Sequence, residues 1–261
     1  MRREHGLARR VNVAGWLFVL AVLVLAEIAV RLFDLADSVA APSATLGAFV
    51  DGMSSGTLSD ELGRTLGSYV QGFALAVAVG VPLGIAIGSS RTIEDATAVV
   101  IEFLRPIPAV ALIPLAILVF GLGTPMLRFV IAYAAVWPIL VHTMYGVRGV
   151  DRMLYDVAAT SGVRGASRIV RVTVPAALPS IATGIRVSAA IALVVCVTAE
   201  FFVGTAGVGA YMQAQQAAYR LPQLYAAAAL AGLLGVAIDA TLRSGERHAL
   251  FWVGEEQARQ R

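Results

Sequence analysis

Charge is scarce in this sequence. Only 14% of its 261 residues are Asp, Glu, Lys or Arg, against about 25% in a soluble domain. A surface so poor in charge is ill suited to water. It suits lipid, where a charge at the bilayer centre costs about 3 kcal/mol or more. Lysine is missing altogether, and all 20 basic residues are arginine. That absence excludes a nucleotide loop of the G-x-x-x-x-G-K-[ST] type, whose lysine holds the phosphates. ATP, if used, must be bound by another polypeptide, and no cofactor is expected here. Cysteine is nearly absent as well. Cys196 stands alone, so no internal disulfide can form, and its apolar setting reads as that of a small buried hydrophobe. His5, His142 and His248 are far apart and have no metal spacing. No Ser/His/Asp arrangement has motif support, so no catalytic residue is assigned. The net charge of +3 is scattered between apolar stretches and forms no basic stripe for nucleic acid.

What is present is hydrophobic sequence, 58% of the chain, with a mean hydropathy of +0.78. A spanning helix needs about 20 apolar residues. Six such runs are found, at 13–33, 65–88, 98–120, 127–146, 179–203 and 223–242. The expected fold is therefore all-α: one polytopic membrane domain over 1–261, with its core spans at 65–242. Gly80, Pro82, Gly84 and Gly88, with Pro106, Pro108 and Pro114, fall inside spans. Neighbouring helices tolerate such residues and approach closely over small faces. The segment 34–62 reads as a loop with one short helix.

Arginine count orients the chain. Arg2, Arg3, Arg9 and Arg10 precede the first span, and Arg91 lies between the second and third. Arg148, Arg152, Arg164, Arg168 and Arg171 follow the fourth, and Arg243, Arg247, Arg259 and Arg261 follow the sixth. Six spans put all of these on one side. The other side holds Arg31, Arg64, Arg128 and Arg220 against Asp34, Asp37, Asp51, Asp60 and Glu61. Both termini, as tails 1–12 and 243–261, are thus expected on the cytoplasmic face of the cell inner membrane.

The segment 147–178 carries most of the functional information. It reads Asp156-Val157-Ala158-Ala159-Thr160-Ser161-Gly162, then nine residues, then Val172-Thr173-Val174-Pro175. Small residues at 158 and 159 let another backbone come close. Gly162 can take φ > 0 and end a helix abruptly. Val163, Arg164, Arg168 and Arg171 form a basic turn, and Pro175 and Pro179 suit the start of the next helix. The expected product is a helix–turn–helix elbow.

This segment resembles the loop E-A-A-x-x-x-G-x(9)-I-x-L-P of ABC-importer permeases, with Asp156, Val157, Val172 and Val174 as conservative departures. The resemblance runs from about residue 15 to 250. It includes Gly80-Val81-Pro82-Leu83-Gly84, Arg105-Pro106-Ile107-Pro108, Phe120-Gly121-Leu122-Gly123, Gly146-Val147-Arg148-Gly149-Val150-Asp151, and Ala199-Glu200 before Gly204, Gly207 and Gly209. It is strongest to the branch that imports nitrate, aliphatic sulfonates, taurine and thiamine-pyrimidine precursors. It implies the type I importer permease fold and a translocation pathway for a small, anionic solute. It also implies separate ABC ATPase subunits, an extracytoplasmic solute-binding protein, a second permease copy as a homodimer, and surrounding membrane lipids. The residues it assigns to ATPase coupling are Asp156, Val157, Ala158, Ala159, Gly162, Val163, Arg164, Arg168 and Pro175.

Glu27, Glu102, Glu200 and Asp239 lie in or at the ends of spans, where an acid is functional by default. Glu102 can pair with Arg105 and Asp239 with Arg243. Glu200 either lines the pathway or braces the glycine-rich Gly204–Gly209 turn. Tyr133 and Trp137 share one helical face, as packing or pathway residues. An ion-coupled secondary transporter is the alternative, with these acids as coupling groups, but such proteins carry more spans and paired repeats.

Overall fold

The computed structural model describes residues 13–33 and 38–249. Tails 1–12 and 250–261, with Asp34 and Asp37, lie outside the described residues, as do the His5 and His248 side chains. The described residues form helices and connecting turns: α1 (Val13–Leu32), α2 (Pro42–Ser54), α3 (Thr57–Ser89), α4 (Arg91–Leu104), α5 (Ile113–Phe120), α6 (Thr124–Arg148), α7 (Arg152–Thr160), α8 (Ala166–Arg168), α9 (Val174–Val203), α10 (Val208–Ala217) and α11 (Leu221–Ala249). A 3-10 turn, Ala109–Leu112, leads into α5, and a π turn, Ile169–Thr173, joins α8 to α9. Five helical runs are long and apolar enough to cross a membrane, or six if the bent pair α4 and α5 counts as one.

The core is a three-helix layer of α3, α6 and α9, and its geometry follows from small residues. On α3, Gly72, Gly80, Gly84 and Gly88 meet Ile131, Ile139, Thr143 and Val147 of α6, in that order. Both series ascend together, so the two helices run parallel. A Cβ on Gly84 would stand 2.6 Å from Thr143 Cβ and 2.8 Å from the Leu140 carbonyl. Only glycine permits this separation. Between α6 and α9 the order reverses. Gly146 faces Ser180, Gly184 faces His142, and the Ser188 hydroxyl donates to the Ala135 carbonyl at 2.7 Å. These helices are antiparallel.

Because α3 and α6 run the same way, the chain between them returns along the bundle. It does so through α4 and α5, bent by 82° at their junction. The single straight span expected at 98–120 is therefore a broken one. The cause lies in Arg105-Pro106-Ile107-Pro108, where two missing N–H groups and the restriction on residues before proline stop the helix. The Tyr133 hydroxyl donates to the Leu104 carbonyl at 2.6 Å and ties the break to α6.

Three other boundaries differ from expectation. Helix α11 runs on to Ala249, so residues 243–249 of the expected tail are helical. Helix α3 begins at Thr57, because Asp60 and Glu61 end the apolar run without ending the helix. Its 33 residues extend about 50 Å, well beyond a hydrocarbon core of about 30 Å. At the other end of the chain's middle, α8, the π turn and α9 form one continuous helical run, Ala166–Val203. Pro179 thus sits inside helix, whereas Pro175 is in the first turn of α9 but follows the π turn without a break. Arg171, four residues before Pro175, falls in the π turn, whose wider register absorbs the missing donor.

Candidate functional site

The two poles of the bundle are built differently. At one, α7 projects between α6 and α8. Asp151 caps its start, its Oδ1 accepting from the Met153 N–H at 2.9 Å. Its end is closed by a paired hydrogen-bond motif: Val163 N–H donates to the Ala158 carbonyl at 2.8 Å and Gly162 N–H to the Ala159 carbonyl at 3.1 Å. Gly162 adopts φ 75° there, the left-handed conformation this motif demands.

The surface of α7 is apolar where a globular helix would be polar. Met153 is 69% exposed and Val157 56% exposed, with Leu154 beside them. Asp156 and Ala159 are exposed too. Ala158 is buried against its own chain, so only Ala159 of the small pair is free for a close approach. The Arg168 guanidinium stands 5.0 Å above the Tyr155 ring, and the Thr173 hydroxyl donates to the Tyr155 hydroxyl at 3.4 Å. Arg168 thus braces α7 from α8, while Arg164 is exposed in the turn. A groove of about 500 Å³ runs beside the elbow, lined by Leu154, Val157, Val163, Arg171 and Pro175 among others. An exposed apolar helix beside such a groove is suited to receive another protein.

The opposite pole is closed by a buried polar network. Glu200 of α9 is 1% exposed. Its Oε2 accepts the Thr65 hydroxyl at 2.8 Å and the Gly209 N–H at 3.1 Å. The Thr65 oxygen in turn accepts the Val208 N–H at 2.8 Å. Glu61 accepts the Gly207 N–H at 2.6 Å, and the Cys196 thiol donates to Glu200 Oε1 at 3.6 Å. Gly207 has φ 98°, and a Cβ on it would overlap the Glu200 carboxylate. Glu200 therefore holds the turn between α9 and α10 to α3. Cys196 lies fully buried in the apolar core.

Tyr133 and Trp137 come together elsewhere. Their rings meet edge to face at 5.6 Å, and Phe129 and Phe120 continue the row toward α5. Tyr133 supports the α4–α5 break and Trp137 packs against Tyr133, its buried indole Nε1 unpartnered among the described residues, whereas Glu200 faces α3 and α10. Of the other acids in spans, Glu27 binds Arg31 and the Ser43 N–H and hydroxyl at the start of α2. Asp239 pairs with Arg243 at 2.7 Å. Among the described residues the Glu102 and Arg105 side chains form no ion pair. Sequence reasoning missed Thr65 and Glu61, which look like ordinary polar residues near a helix start. It also missed the ion pair of Glu94 with Arg148, which fastens α4 to the end of α6.

Residues 80–244 match the family described as binding-protein-dependent transport system inner membrane component. An ABC transporter permease protein of Methanocaldococcus jannaschii is 37% identical over 167 residues, covering 64% of this chain and 62% of that protein. The riboflavin transport system permease protein RibX of Chloroflexus aurantiacus is 33% identical over 211 residues, covering 81% and 79%. SsuC of Escherichia coli (strain K12), named for aliphatic sulfonates transport, is 32% identical over 152 residues, covering 58% of each. The first of these matches spans only about three fifths of the relative's length. In fold, the chain is similar to an inward-facing structure of the MetNI methionine ABC transporter, with a TM-score of 0.63 and 17% identity over 71% of this chain and 93% of that one. The chain belongs to the family of inner membrane components of binding-protein-dependent transport systems.

Proposed function

We propose that this chain is the permease subunit of an ABC importer, and that the α7 elbow is where a separate ATPase docks. The carrying observation is the elbow itself: a capped, abruptly ended helix with an exposed apolar face beside an open groove. In this reading Asp156, Val157, Ala159, Gly162, Val163 and Arg164 meet the ATPase. Ala158, Arg168 and Pro175 keep the elbow in place. In this reading the elbow pole is cytoplasmic, in keeping with the arginines around it. Two copies of the chain form the pathway, and a solute-binding protein delivers cargo to the opposite pole. The solute is a small anion of the sulfonate, taurine or nitrate type, or a thiamine-pyrimidine precursor. Tyr133, with Trp137 packed against it, supports the broken span beside the pathway, and Glu200 acts by holding the α9–α10 turn. No covalent chemistry falls to this chain. Closure of the ATPase pair moves the elbows and shifts the spans between inward-open and outward-open states.

The test is Gly162→Val. A β-branched residue at φ 75° opposes the turn and should displace α7. Membrane insertion should persist while co-purification with the ATPase, or its stimulation, falls at least tenfold. Normal association and import by this variant would refute the elbow assignment.

A further inference from the structure

The pole opposite the elbow contains a polar cavity that the importer reading leaves unexplained. It lies where α3, the start of α6 and the α9–α10 turn converge, and its volume is about 380 Å³. Its chemistry comes from Arg64, Ser68 and Gln71 of α3, Thr124 and Arg128 of α6, and Thr205 of the turn. Three features of these residues are informative.

The first is charge. Two arginines line the cavity; Arg64 has one long ion pair, with Glu61, and Arg128 has none among the described residues. Arg64 Nε is 4.0 Å from Glu61 Oε2, an oxygen already accepting the Gly207 N–H. The nearby acids are engaged with backbone: Glu61 at Gly207, and Glu200 at Gly209 and Thr65. The second is an idle hydroxyl. Ser68 is only 8% exposed, yet it lines the cavity and its hydroxyl makes no hydrogen bond among the described residues. A hydroxyl that opens onto a polar cavity and is engaged by nothing else in the described chain is free to donate to an external acceptor. The third is a helix start. Thr124 is the first residue of the 25-residue α6, and no side chain caps that helix at Gly123. The unpaired N–H groups there add partial positive charge.

We propose that this cavity is an oxyanion site: Arg64 and Arg128 hold the charged group of an anionic solute, Ser68 donates to one of its oxygens, and the start of α6 completes the field. The proposal rests on the importer reading and deepens it by giving the chain its own contact with cargo. A sulfonate fits the donor set, because three oxygens can accept from two guanidinium groups and one hydroxyl together. The glycine-rich turn forms the fourth wall, and Glu200 holds it in place from behind without offering charge to the cavity. A cationic solute would find no acceptor there comparable to the two donors.

The test uses purified full-length permease in lipid nanodiscs, titrated with sodium methanesulfonate against sodium chloride at equal ionic strength and read by thermal unfolding. Saturable stabilisation by methanesulfonate is expected. Arg128→Gln and Arg64→Gln should each weaken it about tenfold, the effect of removing one charge-assisted contact. Ser68→Ala should weaken it about threefold, and Arg128→Lys less than Arg128→Gln. Both arginines are exposed, so these variants should fold. Two results would overturn the site: no stabilisation beyond that of chloride, or unaltered affinity in the Arg64/Arg128 double variant. In the second case, a double variant that also loses stimulation by the binding protein would make the pole a protein-docking patch. Failure here leaves the importer reading intact if the ATPase still co-purifies. Loss of that association in the unaltered chain would instead sink the importer reading, whatever the anion does.

Discussion

The two poles of this molecule solve opposite problems. The pole with Glu200 joins three helices through buried donors and acceptors, each satisfied within the chain. The elbow pole leaves α7 held by a cap, a terminal motif and one arginine over a tyrosine, with its apolar residues bare. A buried network has one arrangement and resists displacement. A lightly held helix with an exposed apolar face is stable only locally and gains most from a partner. The difference suggests where force is received and where it is resisted: the elbow yields to a partner, and the Glu200 pole gives the spans a fixed end to turn on.

The comparison breaks most visibly at Glu200. Glu200→Ala strands the Thr65 hydroxyl and the Gly209 N–H, at about 1–3 kcal/mol for each buried group. Thermal unfolding in detergent should show loss of most folded protein, whereas Glu200→Gln, which keeps an acceptor, should retain more. If Glu200→Ala unfolds like the unaltered chain, the pole is not rigid. Next in size is Gly162→Val, which forces a side chain into a left-handed position at about 1–3 kcal/mol. Because α7 is peripheral, that cost should appear as loss of ATPase binding while the main unfolding midpoint stays within a few degrees. A large drop in the midpoint would show the elbow to be part of the core. Smaller still is Arg168→Ala, which removes an exposed cation–π contact worth about 0.5–1 kcal/mol. Its expected signature is faster amide exchange in α7 alone.

The smallest effect sharpens the comparison within one motif. Helix α10 ends as α7 does, with Arg220 N–H donating to Gln215 and Tyr219 N–H to Gln216. Here Tyr219 takes φ 55° where α7 uses glycine, and it is the positive-φ residue of the described chain that is not glycine. Tyr219→Gly should therefore stabilise slightly, by up to about 1 kcal/mol, seen as a small rise in unfolding midpoint. A fall would mean the 88%-exposed ring has a packing role within the chain.

Much of this was legible in the sequence, for identifiable reasons. The long spans follow from apolar runs, and the Gly162 turn from a glycine placed just after a short helical segment. The elbow's boundaries were less so, because Pro175 looks like a helix start until a π turn is seen to accommodate it. The bend at Pro106 and Pro108 was visible as residues but not as geometry, since membrane helices often carry proline without breaking. Ala158 and Ala159 are alike in sequence, and only the packing of α7 tells which faces inward. For Glu200, bracing of the Gly204–Gly209 turn was one of two roles open in the sequence, but its partner Thr65 was beyond reach: it lies 135 positions away, and no local pattern marks the pairing. Arg128, in the sequence only one of four arginines on the less basic side, gains meaning once α3 and the α9–α10 turn are placed beside it.

The glycine ladder between α3 and α6 limits how the molecule can move. Gly72, Gly80, Gly84 and Gly88 receive Ile131, Ile139, Thr143 and Val147 like teeth in a rack. Sliding one helix along the other by less than a repeat would drive those side chains against backbone. A full four-residue step, about 6 Å, is closed as well, because it would bring Ala76 against Ile131 or Ile139. Small displacements must therefore carry α3 and α6 together as one beam. Bending is left to the joints beside them, at Arg105–Pro108 and at the π turn of Ile169–Thr173. A push on the elbow is then transmitted as rotation of a stiff pair, and not spent in shear between its halves.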